Sequence, residues 1–493
     1  MKTLVTLGLL VMATCSVAAQ PANWLPTATT YRPDRILVMP RRDTKNSSLA
    51  KLQASLDSHV QKSFPSFGGV QVISVPQGET VTSLIEKFQQ SGFVEFAEPD
   101  FARQLDLTPD DPRYANGTLW SLHNTGQGGG VADADIDAPE GWDVLNSASN
   151  IVVAVIDTGI NRTHEDLAAN VWTNQAAGGY GWNSIATNTS PGDDEGHGSL
   201  VSGVLGAVGN NGKGVVGVAW RVQIMACKSF DAARNGFDSD ILESLEFALT
   251  NGARIINMSL SGAGFSASLS NAVFAARQAG IIIVASSGNE AVNVDVSPRY
   301  PACYDLDNII SLAATTRTDD LWASSNYGAT NVDLAAPGHQ ITSTFTFSDT
   351  LYVGPVSGTS LSAPYVSGTC ALLLAKYPTE THQQIIARVL NGVDLLPSLT
   401  GKCVTGGRLN LRKALSPLVY LTFHSMLNFM DQTTAQWRIT AGPTRNFVVE
   451  ASADLTTWSP VYGGTTSAAG TADFFDPLTA NYPRRFYRVV AEP

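Results

Sequence analysis

The feature that most constrains this fold is an alternation of short apolar runs with amphipathic stretches between Asn150 and about Ser416. The short runs are rich in β-branched residues, which is typical of strands, whereas the longer stretches show helical spacing of apolar positions. Apolar strands separated by helices indicate a parallel sheet that is covered on both faces. We therefore predict an α/β domain whose ligand site lies at the carboxyl ends of the strands. The predicted strands are 151–156, 223–226, 254–258, 281–285 and 309–313, and the predicted helices are 239–251, 268–279 and 362–376.

The segments on either side of this domain have different patterns. Before it, the sequence predicts strands at 35–39, 70–75 and 94–97 and helices at 48–60 and 79–92, which make a small α+β unit. After it, apolar and polar residues alternate, turns are frequent and no helix is indicated, so we expect a small all-β sandwich. The predicted domains are 1–19, 20–106, 107–416 and 417–493.

The first 19 residues have the layout of a secretory signal peptide. Lys2 precedes an apolar run from Leu4 to Met12, and small residues lead to a cleavage site near Ala19. A lipid anchor on Cys15 is a lesser alternative, because the preceding residues fit such a signal poorly. No other apolar stretch approaches 18 residues, so we expect a secreted, extracellular protein without a membrane span.

The charge of the chain argues against one class of function, and its cysteines raise the question of disulfides. The chain has 43 acidic and 31 basic residues, a net charge of -12, and no cluster of Lys and Arg, which argues against nucleic-acid binding. Four cysteines follow the signal segment, and three disulfide pairings are conceivable. Because two of them lie in apolar segments, buried thiols are an equal alternative. The four are Cys227, Cys303, Cys370 and Cys403.

Three separate loops carry an acid, a base and a nucleophile. Asp157 directly follows the predicted strand 151–156, His197 lies between two glycines, and Ser360 stands at a helix start. A serine hydroxyl is a weak nucleophile until a neutral imidazole accepts its proton, and a carboxylate orients that imidazole. A helix N-terminus also offers unpaired N–H groups that can stabilise an oxyanion. The set therefore predicts acyl-transfer chemistry.

The order of these residues and their local sequences resemble the subtilases, the subtilisin-like serine peptidases. The resemblance rests on Asp157-Thr158-Gly159, Glu195 to Gly203 and Gly358 to Pro364, and extends from about Thr108 to Ser416. It implies a subtilisin-like catalytic domain in which Ser360 attacks, His197 is the general base, Asp157 orients it and Asn289 supplies an oxyanion donor. Departures from the family pattern bear on rate and substrate preference, and they are Ser199, Leu200, Leu361 and Tyr365.

The same resemblance implies an edge along which a peptide substrate adds as a strand. Ser259, Leu260, Ser261 and Gly262 lie on this edge, and the other implied substrate-binding residues are Ala285, Ser286, Ser287 and Gly288. Arg299 could point into the specificity pocket or lie on the surface, and the surface is the favoured placement.

Resemblance to thermitase-like subtilases implies a structural calcium ion. Its ligands would be the side chains of Asp111, Asp166 and Asn211 and the carbonyl oxygens of Val208, Lys213 and Val215. An ordinary acidic surface beside a Gly/Asn loop is the alternative.

The N-terminal α+β unit resembles the inhibitory propeptides of subtilases, and its ending Val94 to Asp100 matches theirs. This implies a precursor that is inhibited by its own propeptide and cleaves itself between about Phe101 and Thr108. We expect a monomer that acts on protein or peptide substrates. The C-terminal module would dock substrate, attach the enzyme to the cell surface or cap it.

Two alternatives from other classes stay open. The chain could be a catalytically inactive subtilase-fold protein that binds peptides, or a cell-surface adhesion protein whose working part is the terminal β-module. The complete acid, base and nucleophile set favours the peptidase.

Overall fold

The structure is a computed structural model that describes most of the chain. The described residues are 31–42, 44–101, 108–174, 178–416, 420–429, 432–440, 446–453, 458–467, 471–476 and 485–491. The predicted signal peptide lies outside them, as does most of the predicted cleavage region between Phe101 and Thr108.

The N-terminal unit is a four-stranded antiparallel sheet of order β2-β3-β1-β4 with two helices. Apolar side chains of α2, such as Leu84 and Phe88, pack on Ile36 and Ile73 of the sheet. The predicted α+β unit is confirmed, but the predicted helix 48–60 is too long. Asp57, with φ of 52°, lies just after the end of that helix, and the chain then pairs with β3 as a strand. The elements are β1 (Tyr31–Pro40), α1 (Asn46–Ser55), β2 (Val60–Phe64), β3 (Val70–Ser74), α2 (Val81–Gln90) and β4 (Val94–Phe101).

Residues 105–416 form a separate compact unit built on a nine-stranded sheet. The strand order is β14-β15-β11-β10-β9-β8-β5-β7-β6, and the described pairs are parallel except β14 with β15. The strands of the sheet are β5 (Ser147–Asp157), β6 (Gly181–Asn183), β7 (Arg221–Lys228), β8 (Ile255–Met258), β9 (Ile282–Ser286), β10 (Ile309–Thr315), β11 (Leu334–Pro337), β14 (Val393–Leu395) and β15 (Gly407–Leu409). A hairpin outside it comprises β12 (Ile341–Thr344) and β13 (Tyr352–Val356).

Helices cover both faces of this sheet, as predicted. Along β5, Val153 and Val155 belong to the core shared with α8, whereas Ala154 and Ile156 belong to the core shared with α6 and α7. This alternation follows from the two-residue period of a strand. The helices are α3 (Pro112–Ala115), α4 (Ala138–Trp142), α5 (His197–Gly206), α6 (Asp238–Thr250), α7 (Ala267–Gln278), α8 (Thr359–Lys376), α9 (His382–Asn391) and α10 (Leu411–Leu415).

The C-terminal region is all-β, as predicted. It contains two three-stranded antiparallel sheets, β16-β17-β20 and β19-β18-β21. Ile439 and Phe474 from the first sheet cluster with Phe447 and Val449 from the second. The strands are β16 (Tyr420–Phe429), β17 (Gln432–Thr440), β18 (Asn446–Ser452), β19 (Ser459–Thr465), β20 (Thr471–Phe475) and β21 (Phe486–Ala491).

The four cysteines that follow the signal segment are free thiols. Burial raises the pKa of the Cys227 thiol to about 12, so it is an inert apolar side chain. The buried-thiol alternative is therefore the one that the structure adopts. Within the described residues, none of the helices combines the length and the hydropathy needed to cross a membrane.

Candidate active site

Asp157 and His197 meet at the carboxyl end of the central strand β5. Asp157 is the last residue of β5 and is buried, and His197 is the first residue of α5. The Nδ1 atom of His197 lies 2.8 Å from Oδ1 and 3.0 Å from Oδ2 of Asp157. A carboxylate in this place accepts the Nδ1–H proton and leaves Nε2 as the free proton acceptor.

The surroundings of His197 favour its protonated form. Burial alone would lower its pKa, but the negative charge of Asp157 and its hydrogen bond outweigh burial and raise the pKa above the ordinary value. Arg234 has a smaller lowering effect, and Glu195 a smaller raising one.

Two ion pairs hold the loop that precedes His197 to the loop that follows β7. The buried Lys228 ammonium donates to Oδ1 of Asp194 at 2.7 Å and to the carbonyl of Thr158 at 2.8 Å. Glu195 accepts the backbone N–H of His197 at 2.8 Å through Oε2, while its Oε1 pairs with Arg234. Nothing local in the sequence marks Lys228 or Arg234 as partners of these acids, so the motifs alone could not find them.

Ser360 is the second residue of α8, which begins at Thr359 rather than at the predicted residue 362. Gly358, with extended backbone, precedes the helix, and the Ser360 side chain is half-buried. Among the described residues, no hydrogen bond joins the Ser360 hydroxyl to His197. Such contacts are often long in the absence of substrate and tighten when it binds.

The carbonyl of Ser360 has an unusual partner. In an α-helix it would accept the N–H of residue 364, but Pro364 has none. Ser259 instead donates its hydroxyl to this carbonyl at 2.7 Å. A hydrogen bond therefore links Ser259, the first residue of the predicted substrate edge, to the backbone of the predicted nucleophile Ser360.

The side-chain amide of Asn289 lies close to the backbone N–H of Ser360. Its Oδ1 accepts the backbone N–H of Thr359 at 2.8 Å and the Thr359 hydroxyl at 2.9 Å, which fixes the orientation of the amide. A Cβ placed on Gly358 would lie 3.5 Å from Nδ2 of Asn289 and 3.7 Å from the backbone N of Ser360. The two predicted oxyanion donors therefore border one small region.

A cleft of about 330 Å³ lies beside Asp157 and His197. All four residues of the first predicted substrate segment, Ser259 to Gly262, line it, together with apolar side chains such as Leu269 and Tyr300. Arg234 borders it as well.

The second predicted substrate segment does not line this cleft. Ala285, Ser286 and Ser287 are buried, and the Ser286 hydroxyl donates to the carbonyl of Leu260 at 3.3 Å. Gly288 lies against them, with φ of 104° and no room for a Cβ beside Asn326. Ser286, the last residue of the internal strand β9, therefore supports the cleft wall at Leu260 from behind.

Arg299 is neither on the open surface nor part of the cleft lining. Its side chain is 18% exposed and lies 3.7 Å from the Glu290 carboxylate. Its Nη1 donates to the carbonyls of Ser297 and Pro298 at 3.1 and 3.2 Å. The favoured surface placement is thus only partly met.

The predicted calcium ligands form a cluster around the loop that follows α5. Asp111 and Asp166 are fully buried, and Oδ1 of Asp111 has no hydrogen-bond partner. Burial, with nearby Asp166 and Asp110, raises the pKa of Asp111 to about 6. Among the described residues, no three His, Cys, Asp or Glu side chains are arranged so that they could hold a metal ion, so a cation here would need neutral oxygens beside the carboxylates.

Within the described part of the chain, three of the predicted neutral ligands, which are backbone carbonyls, are free to bind a cation, whereas the Asn211 amide is not. None of the carbonyls of Val208, Lys213 and Val215 accepts a hydrogen bond from a described residue. Asn211 currently offers its amide nitrogen to Asp166 at 2.9 Å, and its oxygen accepts the N–H of Lys213. For Asn211 to bind the ion, its side-chain amide would have to flip so that the oxygen takes the place of the nitrogen beside Asp166. An orphaned buried carboxylate oxygen beside unpaired carbonyls fits a hard cation.

Comparison with known proteins assigns the class. The profile of the Subtilase family matches residues 148–407, and that of the Fervidolysin N-terminal prodomain matches residues 19–100. The chain belongs to the subtilase family and is a subtilisin-like serine protease with an N-terminal prodomain.

Individual relatives agree with this. The chain is 34% identical to Thermitase of Thermoactinomyces vulgaris over 57% of its own length and 93% of that protein. It is 33% identical to Thermophilic serine proteinase of Bacillus sp. strain AK1 over 60% of its length and 67% of that protein. A solved protease of Pseudoalteromonas arctica PAMC 21717 matches 63% of this chain and 99% of its own, with a TM-score of 0.54 and 26% identity.

Proposed function

We propose that this protease is a secreted endopeptidase that cleaves peptide bonds through Asp157, His197 and Ser360 and matures by cutting its own precursor. The observation that carries the proposal is the bond of His197 Nδ1 to the buried Asp157, at the strand end that also bears the cleft. Secretion is supported by the signal-like first 19 residues.

The chemistry follows from the roles of three groups. Ser360 Oγ attacks the scissile carbonyl while Nε2 of His197 accepts its proton, and the Asp157 carboxylate stabilises the imidazolium that forms. His197 then gives the proton to the leaving amine, and an acyl-enzyme remains on Ser360. Water, deprotonated by His197, attacks this ester and releases the acid.

The developing oxyanion needs donors that are already in place. The Ser360 N–H stands in the first turn of α8, where the helix offers it no acceptor. Nδ2 of Asn289 borders the same region, and its orientation is fixed by Thr359. These two groups would share the negative charge of the tetrahedral intermediate.

We also propose that Asp111, Asp166, Asn211 and the carbonyls of Val208, Lys213 and Val215 bind a structural Ca²⁺. Bound there, the ion would neutralise two buried carboxylates and fix the loop that follows α5. It takes no part in the reaction. Its effect would be on stability, because the buried Asp111 carboxylate has one oxygen without a hydrogen-bond partner.

A fluorophosphonate probe tests the proposed nucleophile, since it forms a bond only with an activated serine. We expect a single adduct on the peptide that contains Ser360, lost in Ser360→Ala and His197→Ala. Ser362→Ala is the matched control, because that hydroxyl donates to the Ala336 carbonyl at 2.9 Å and should not affect labelling. An unlabelled native protein, or labelling that survives Ser360→Ala, would favour an inactive peptide-binding protein.

A further inference from the structure

The hydrogen-bond ladder of α8 is interrupted at its first turn. Pro364 lies inside the helix and cannot donate to the carbonyl of Ser360. A carbonyl left unpaired in a buried place costs stability and permits the turn to shift. The Ser259 hydroxyl fills this gap from a different element, at 2.7 Å.

The direction of that bond is determined by a buried network. Nδ2 of Asn257 donates to Oγ of Ser259 at 2.9 Å, so the hydrogen of the Ser259 hydroxyl remains available for the Ser360 carbonyl. Oδ1 of Asn257 in turn accepts the hydroxyl of Ser367 from α8 at 2.8 Å. Asn257 and Ser367 are fully buried and Ser259 is 6% exposed, so water has little access to these groups.

We propose that Ser259 is a positioning residue for the nucleophile: its hydroxyl replaces the helical bond lost at Pro364 and fixes the peptide unit that carries Ser360. The inference rests on the proposed role of Ser360. Because Ser259 also begins the segment that lines the cleft, the residue couples the substrate edge to the attacking serine. A small displacement of a nucleophile has a large effect on rate, since attack requires near-contact geometry.

The first test is Ser259→Ala, with kcat and KM measured on an uncharged peptide and active sites counted with fluorophosphonate. We expect kcat to fall about 10- to 100-fold while KM stays within about twofold, because attack and not binding is impaired. Ser259→Thr keeps a hydroxyl and should retain most of kcat. A rise in KM with kcat unchanged would show that Ser259 acts only on binding and would overturn the proposal.

The second test supplies the missing donor from the helix itself. Pro364→Ala adds a backbone N–H aimed at the Ser360 carbonyl, so the double variant Ser259→Ala with Pro364→Ala should recover kcat to within about threefold of Pro364→Ala alone. A role in packing would not be rescued in this way. Failure of the rescue, with both variants folded as judged by thermal unfolding, would contradict the inference.

A matched control is Thr369→Val, which removes a buried hydroxyl that belongs to α8 itself. That hydroxyl donates to the Tyr365 carbonyl at 2.9 Å and is remote from Ser360. We expect its kcat to be unchanged. If Ser360→Ala retains activity, the proposed function fails, whereas normal kcat in Ser259→Ala beside an inactive Ser360→Ala refutes only the positioning role.

Discussion

At the scale of single residues, the charges around His197 determine when it can accept a proton. Asp157 faces it from β5, Glu195 from its own loop, and Arg234 from the loop after β7. The other charged groups close to this loop are engaged elsewhere, since Asp194 pairs with Lys228 and Asp193 accepts N–H groups at the start of α5. The rate should therefore fall at low pH with a midpoint above the ordinary histidine value.

The charges of Glu195 and Arg234 have opposite effects on the pKa of His197, so their removal should shift the pH dependence in opposite directions. Glu195→Gln removes a negative charge and should move the low-pH midpoint of kcat/KM down, whereas Arg234→Gln should move it up, each by about half a pH unit. The double variant should return close to the native midpoint, and added salt should shrink both shifts.

A pH series of kcat/KM with an uncharged substrate measures these midpoints. Arg277→Gln is the control, because that arginine pairs with Asp307 on the surface, at the end of α7. Shifts of the same sign in the two single variants would contradict the electrostatic account.

The strand and helix ends were predictable from the sequence to different degrees. Asp157, His197 and Ser360 can be identified because Asp157 ends a strand and the other two lie in the first turn of a helix, which are features of local pattern. The bond from Ser259 to Ser360 joins residues 101 positions apart, and no local signal indicates it. The sequence predicts a later start for α8 than the backbone adopts, because Gly358 and Pro364 favour a turn over residues that are in fact helical.

At the scale of elements, β2 also depends on a contact that the local sequence pattern does not indicate, its pairing with β3. The sequence from Ser48 to Val60 has helical spacing, yet the helix ends at Ser55 and Val60 pairs with Ile73. Pairing with a neighbouring strand overrode local propensity there. By contrast, the sequence predicts the internal strands β5, β8, β9 and β10, because strands that are buried on both faces are apolar throughout.

The loop that follows α5 gives a prediction about calcium. Without the ion, folded Asp111 holds a proton up to about pH 6, whereas the unfolded chain releases it near the ordinary value. Its contribution to stability is thus present at low pH and lost as pH rises through about 6. Calcium competes with that proton, so the increase in Tm on adding calcium should grow between pH 5 and 7.

Asp111→Asn should remove most of this increase, which we expect to be roughly 5 °C at saturating calcium. Asp110→Asn is the matched comparison, since among the described residues the exposed Asp110 carboxylate accepts only the backbone N–H of Gly212, at 2.8 Å; its loss should lower the pKa of Asp111 but leave most of the calcium response. Thermal unfolding in calcium and in chelator measures both. An equal calcium response in the native protein and in Asp111→Asn would refute the proposed ligand set.

At the scale of the whole molecule, the chain joins a prodomain, a protease unit and an all-β module. Pattern alone predicts an α+β part, an α/β part and an all-β part, because each has a different periodicity of apolar residues, whereas the prodomain and protease identities come from resemblance. Neither could assign a task to the terminal module, since its two small sheets present no chemistry-bearing motif in the sequence.

If Ser360 is an active nucleophile, the protease should cleave its own chain after the prodomain. The measurement that tests it most directly is the intact mass and N-terminal sequence of the exported native protein beside Ser360→Ala. We predict that the native chain is cut between about Phe101 and Thr108 and that the variant keeps its prodomain. If both chains stay full length, or both are cut alike, Ser360 does not process its own precursor.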